Sequence, residues 1–185
     1  MRKVTVKIEG ISPYSQSRMH DEPKLDKETS NDYENRTWRE RCNADKDGMV
    51  VIPAMAFKQA LPIACKKIGR QIPGRGKSTY TKYFEGDVLC VADAKLGLHK
   101  DDMRKVTINA HANGQRGSGT RVKRHFPVVD EWQTEVEFLI FDDTITRDVF
   151  EETFTAAGMG VGVGRFRPEN GGVNGRFRPV EFIWE

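Results

Sequence analysis

The residues best placed to do chemistry lie near the C-terminus. Gly-Arg-Phe-Arg-Pro occurs twice, at 164–168 and at 175–179, around a glycine-rich stretch from Gly158 to Gly175. Glycine lets backbone approach a ligand without a Cβ in the way, and exposed N–H groups in such a loop can cup a phosphate. Arginines two apart lie on one side of an extended chain, so Arg165 and Arg167 are placed to contact neighbouring phosphates. Arg176 and Arg178 repeat the arrangement. Phe166 and Phe177 are ring platforms for bases or plugs beneath the loop. A nucleotide-cofactor cradle fits poorly, because those loops follow a strand and open a helix. Here the pattern runs helix, loop, strand, and no Gly-Lys-Ser/Thr element lies within the loop.

Two further segments point to the same partner. Arg70, Arg75, Lys77, Tyr80 and Lys82 mix cations with an aromatic ring, the combination that neutralises a single strand and stacks its bases. Arg116, Arg121, Lys123 and Arg124 add a second basic run. The net charge of +3 is small, but it is segregated: twelve Lys/Arg face five Asp/Glu between Arg70 and Val128, whereas nine acids face Arg147 alone between Val129 and Gly158. That segregation predicts one basic and one acidic face. The competing reading for each segment is a solvated loop. Catalysis has little support: no nucleophile–base pair is visible, and His125 is the one weak candidate for acid–base work. Cys42, Cys65 and Cys90 are an odd number without close pairing, and no CxxC or HxxxH unit is present, so three buried thiols are expected and neither a metal nor a cofactor. The expected partner is single-stranded RNA, or single-stranded DNA, held through phosphates and stacking with little base readout.

The elements that must carry these residues follow from periodicity. Val4, Val6 and Ile8 alternate with Lys3, Thr5 and Lys7, which predicts a strand over 2–9. Residues 12–48 are polar and offer little to bury; they read as an arm with a short helix near Glu34–Arg41. A short strand at Met49–Ile52 precedes a helix from Pro53 to about Ile68, closed by Gly69. A strand is expected at about Asp87–Ala94. Residues 95–130 read as a second insertion, a β-hairpin finger, before the strand Trp132–Asp142. Thr146 caps a helix that Gly158 should end, and Arg176–Trp184 closes the chain as a strand.

In order, the core reads strand, helix, strand, strand, helix, strand. That is an α+β, ferredoxin-like or RRM-like βαββαβ core with two long insertions, in a single domain over 1–185. No apolar run reaches the roughly 20 residues a bilayer span requires, and no signal-type segment leads the chain. The chain therefore reads as cytoplasmic, with no membrane partner.

The element order, the Ile52-Pro53-Ala-Met-Ala-Phe57-Lys58-Gln-Ala-Leu61 stretch and the glycine-rich loop before the last strand resemble the RAMP superfamily of CRISPR-associated RNA-binding proteins. The likeness is to its backbone subunit, and it spans 4–8, 51–68 and 146–184. The chain is also similar to small phage or prophage proteins ending in Gly-Arg-Phe-Arg-Pro-Glu-Asn-Gly-Gly. The resemblance implies that Lys58 and the Arg165/Arg167 loop contact the nucleic-acid backbone, and that 95–130 takes the place of a thumb. It also implies partners: copies along the strand, or a CRISPR-type complex. Two alternatives come with it, a metal-independent RAMP-type endoribonuclease using a histidine, and a phage protein acting on a CRISPR complex by protein contact.

Overall fold

The computed structural model describes residues 1–111 and 119–185. Its strands are β1 (Arg2–Gly10), β2 (Tyr14–Ser15), β3 (Met49–Ile52), β4 (Val88–Cys90), β5 (Ala94–His99), β6 (Arg104–His111), β7 (Arg121–Val129), β8 (Gln133–Ile140) and β9 (Phe177–Trp184). Its helices are α1 (Ser30–Thr37), α2 (Ala54–Ile68), α3 (Thr81–Gly86) and α4 (Arg147–Gly160). The molecule is mixed α/β with antiparallel sheets.

The alternation in β1 does what it predicts: Val4, Val6 and Ile8 are buried, and the residues between them are not. β1 lies inside a four-stranded sheet of order β4-β8-β1-β9, with every neighbouring pair antiparallel. Two strand–helix–strand units interleave here. β8 separates β1 from β4, the strands of this sheet that precede and follow α2 in the chain, and β1 separates β8 from β9, the strands joined through α4. Both helices cover one face, and their apolar stripes meet the sheet through rings: Phe138 packs edge-on against Phe150 and Phe154, and Phe57 meets Phe177. Burying each such ring stabilises the fold by roughly 2–3 kcal/mol.

Several boundaries differ from expectation for definable reasons. α4 runs through Gly158 to Gly160. A Cβ at Gly158 would sit 2.2 Å from the Phe177 carbonyl oxygen, so this glycine serves close helix–strand packing and does not terminate the helix. The strand expected over 87–94 is split. β4 stays in the main sheet, whereas β5 leaves it to pair with β3. α1 begins at Ser30 because the Thr29 hydroxyl accepts from the Asp32 N–H, and Trp38–Arg41 form a separate 3-10 turn.

The 12–48 segment also buries more than its polarity suggested. Tyr14, Trp38 and Cys42 join the core. The Gln16 amide is buried and donates to Val51 O at 2.7 Å and Tyr14 Oη at 2.9 Å, which fastens the segment to β3. β6 and β7 pair antiparallel from Arg104↔Val128 to His111↔Arg121, and β2 adds to the β7 edge.

Candidate nucleic-acid interface

The loop between α4 and β9 is a knot of backbone hydrogen bonds. Val163 N donates to Gly175 O at 3.0 Å, Gly175 N to Pro13 O at 2.8 Å, and Arg165 N to Ser15 O at 2.7 Å. Glu169, Asn170, Gly171, Gly172 and Asn174 also spend their amides on chain carbonyls. The expected cradle of exposed N–H groups is therefore replaced by a loop that satisfies itself, as folded backbone must when it packs against neighbours. What it offers outward is side chains. Phe166 takes φ +57°, a left-handed conformation rare outside glycine, between Arg165 and Arg167. The two arginines thus share a groove through a turn, not through strand alternation as the sequence suggested.

That groove has a volume of about 430 Å³. Arg18, Arg165, Arg167, Pro53, Met55 and Phe166 are among the residues that line it. Arg165 also covers the Phe126 ring of β7, its guanidinium carbon 3.6 Å from the centroid, and Arg41 lies over the same ring at 5.2 Å. Arg41 and Arg124 both reach Glu34 Oε1, at 2.8 Å and 3.2 Å. One carboxylate is therefore shared by two guanidiniums. Burial, and secondarily the Arg41 charge, push the Arg165 pKa down. Arginine stays protonated in proteins, so the cost persists as an unmet demand for an anion. Arg167 adds to it: its Nε is buried without a hydrogen-bond partner. Among the described residues no carboxylate pairs with Arg165 or Arg167.

The other predicted residues are distributed unevenly. Arg121 and Lys123 are exposed on β7, and Arg124 meets Glu34. Arg176 donates to Met159 O of α4 at 3.2 Å and to Val173 O of the loop at 3.4 Å, while Arg178 pairs with Glu9. Arg116 lies outside the described residues. The 70–82 segment sits at the far end of α2, about 20 Å away for a helix of that length. There Arg70 spans Asp148 and Glu152 at 2.8 and 2.7 Å, and Arg75 hydrogen-bonds the Tyr83 hydroxyl. Tyr80 is buried in the core; Lys77 and Lys82 are exposed. Gly76-Lys77-Ser78 occurs in this segment, but it links two helices and has Gln71 where a phosphate-binding loop carries its first glycine. Lys58 is partly buried and donates to Phe84 O and, at 2.8 Å, to Glu85 O, joining α2 to the end of α3; desolvation lowers its pKa.

His125, the weak acid–base candidate, is buried, with Nδ1 2.9 Å from Thr107 Oγ1; burial lowers its pKa. The three cysteines are free and buried, with burial raising Cys42 to about 11 and Cys90 to about 12. Among the described residues no group of three His, Cys, Asp or Glu could hold a metal, and no helix is long and apolar enough to cross a membrane. Arg18, Arg41, Glu34 and Phe126 escaped sequence reasoning. Nothing in the local pattern marks them, because the groove joins segments more than 100 residues apart.

No protein-family model matches this sequence, and no curated protein does. Solved structures do match. A chain of the cryo-EM structure of type III-B Cmr-beta bound to cognate target RNA aligns over 99% of this chain at TM-score 0.55 and 12% identity. This chain spans only 60% of that one. Cmr6 from Pyrococcus furiosus aligns over 97% of this chain and 99% of its own length, at TM-score 0.51 and 15% identity. At such identities the likeness is one of fold alone.

Proposed function

We propose that this chain is a non-enzymatic RNA-binding subunit of a RAMP-type assembly, and that it holds single-stranded RNA by its backbone in the groove of Arg18, Arg165 and Arg167. The observation that carries this reading is the pair of partly desolvated guanidiniums, Arg165 and Arg167, without a carboxylate among the described residues. A polyanion meets that demand, and phosphate contacts supply most of the affinity of sequence-tolerant RNA binders. The fold likeness supports the choice of RNA over DNA, since one matching structure is described as bound to target RNA.

In this reading the sheet β4-β8-β1-β9 with α2 and α4 is a ferredoxin-like core in one domain over 1–185. The 12–48 insertion is an arm that supplies Arg18 and Arg41, and the 95–130 insertion is the finger whose base carries Phe126. The partners are RNA and neighbouring subunits, in the cytoplasm. Binding is preferred to cleavage because the His125 ring is enclosed and engaged by Thr107.

The test is a gel shift with a labelled single-stranded RNA. Arg165→Ala with Arg167→Ala should weaken binding about thirtyfold, as expected for two lost charge-assisted contacts. Unchanged affinity in a folded double variant would remove the groove from the account.

A further inference from the structure

The groove is not uniformly cationic. Its lining also includes two large apolar side chains that the fold leaves out: Met55 is 58% exposed and Phe166 is 51% exposed. Met55 follows directly on the first residue of α2, and Phe166 stands at the loop's left-handed turn. Holding a non-glycine residue there costs on the order of 1 kcal/mol, and strain of this kind concentrates at functional sites. The surroundings enforce it. The Phe166 carbonyl accepts the Asn174 N–H at 3.0 Å, and a Cβ at Gly172 would lie 1.8 Å from that carbonyl oxygen. The loop is thus built to keep an aromatic ring in solvent beside a guanidinium, where a core-seeking ring such as Phe177 would have turned inward.

Two exposed amides line the same groove, Gln59 one turn along α2 from Met55 and Asn170 at the end of the loop's 3-10 turn. An amide side chain presents a donor and an acceptor together, the pattern that distinguishes base edges. Neither residue is needed for charge, and neither is buried.

We infer that the groove receives one unpaired nucleotide, its base lying against Met55 and Phe166, its phosphates against Arg18, Arg165 and Arg167, and its base edge read by Gln59 and Asn170. The inference rests on the RNA-binding reading and adds base selectivity to it. A volume of about 430 Å³ falls at the small end of the roughly 300–1,000 Å³ of ligand clefts, which suits one nucleotide. A paired base offers neither a free face nor a free Watson–Crick edge, so the occupant is single-stranded. Sequence-tolerant strand binders combine a cationic groove with stacking; the two amides are what set this groove apart.

The experiment is fluorescence anisotropy of the full chain with 5′-labelled r(A), r(C), r(G) and r(U) octamers. The wild type should favour one base over the weakest by about tenfold. Gln59→Ala with Asn170→Ala should bring all four within about twofold while the weakest affinity stays nearly unchanged. Phe166→Ala should weaken all four about tenfold. Wild-type affinities already within twofold of each other would overturn the base pocket while leaving phosphate binding in place. A wild type that binds none of the octamers would overturn the RNA-binding reading as well.

Discussion

The molecule carries two concentrations of positive charge, one around Phe126 and one in the 70–82 loop, and they differ in what the charges already hold. At the loop end Arg70 bridges Asp148 and Glu152, and Arg75 grips Tyr83. Lys77 and Lys82 stand in solvent there. Around Phe126, Glu34 is shared by Arg41 and Arg124, Arg165 covers the ring, and Arg167 keeps a buried Nε without a partner. The sequence marks Arg165 and Arg167 by their repeated motif and the 70–82 loop by its charge, and it marks neither Arg41 nor Phe126. Among the described residues the ion pairs engage Arg70 at the loop end and Arg41 and Arg124 around Phe126, whereas Arg165 and Arg167 have no carboxylate.

The comparison can be broken first through stability. Glu34 and Arg41 are largely enclosed, with side-chain exposures of 9% and 13%. Glu34→Ala should leave two guanidiniums without their carboxylate and cost about 3 kcal/mol. Asp148→Ala at the solvent-exposed Arg70 pair should cost under about 1 kcal/mol. Urea unfolding of both variants measures the difference, and equal losses would mean that the Phe126 cluster is no more enclosed than the loop end.

A smaller effect sharpens the same contrast through pH. His125 adjoins Glu34 through its N–H at 3.3 Å and feels Lys105, Lys123 and Arg41, whose charges assist burial in lowering its pKa from 6.5. A histidine held neutral in the folded state stabilises it fully above the unfolded pKa. That contribution shrinks as pH drops below about 6.5 and is lost through the lower, folded-state value. Wild-type unfolding free energies should therefore fall between pH 7.5 and 5.5 by more than those of His125→Asn. Parallel pH profiles would show that the ring titrates as it does in water.

The core was legible because it rests on local pattern. The alternation of Val4, Val6 and Ile8, the stripe Phe57–Leu61–Ala64 and the run Val136–Phe138–Ile140 each state their own element, and all of these residues are buried. The 12–48 segment was misjudged because its burial depends on a few separated residues, Tyr14, Gln16, Trp38 and Cys42, with no period between them. For the site, Arg165, Phe166 and Arg167 were legible through their repeated motif. Arg18, Gln59 and Phe126 were not, since they gain meaning only when the arm, α2 and β7 converge on the loop. Lys58 and Tyr80 show the reverse error: both suit a nucleic-acid interface by type, yet one ties two helices together and the other fills the core.

The central claim is that the groove, and not the 70–82 loop, holds the RNA backbone. Its most direct measurement is the salt dependence of RNA affinity for two double variants beside the wild type, Arg165→Ala with Arg167→Ala and Arg75→Ala with Lys77→Ala. Each single-strand phosphate contact contributes about 0.7 to the slope of log affinity against log salt. The groove variant should lower that slope by about 1.4 and the loop variant by less than about 0.3. A loop variant that loses as much slope as the groove variant, or more, would contradict the account.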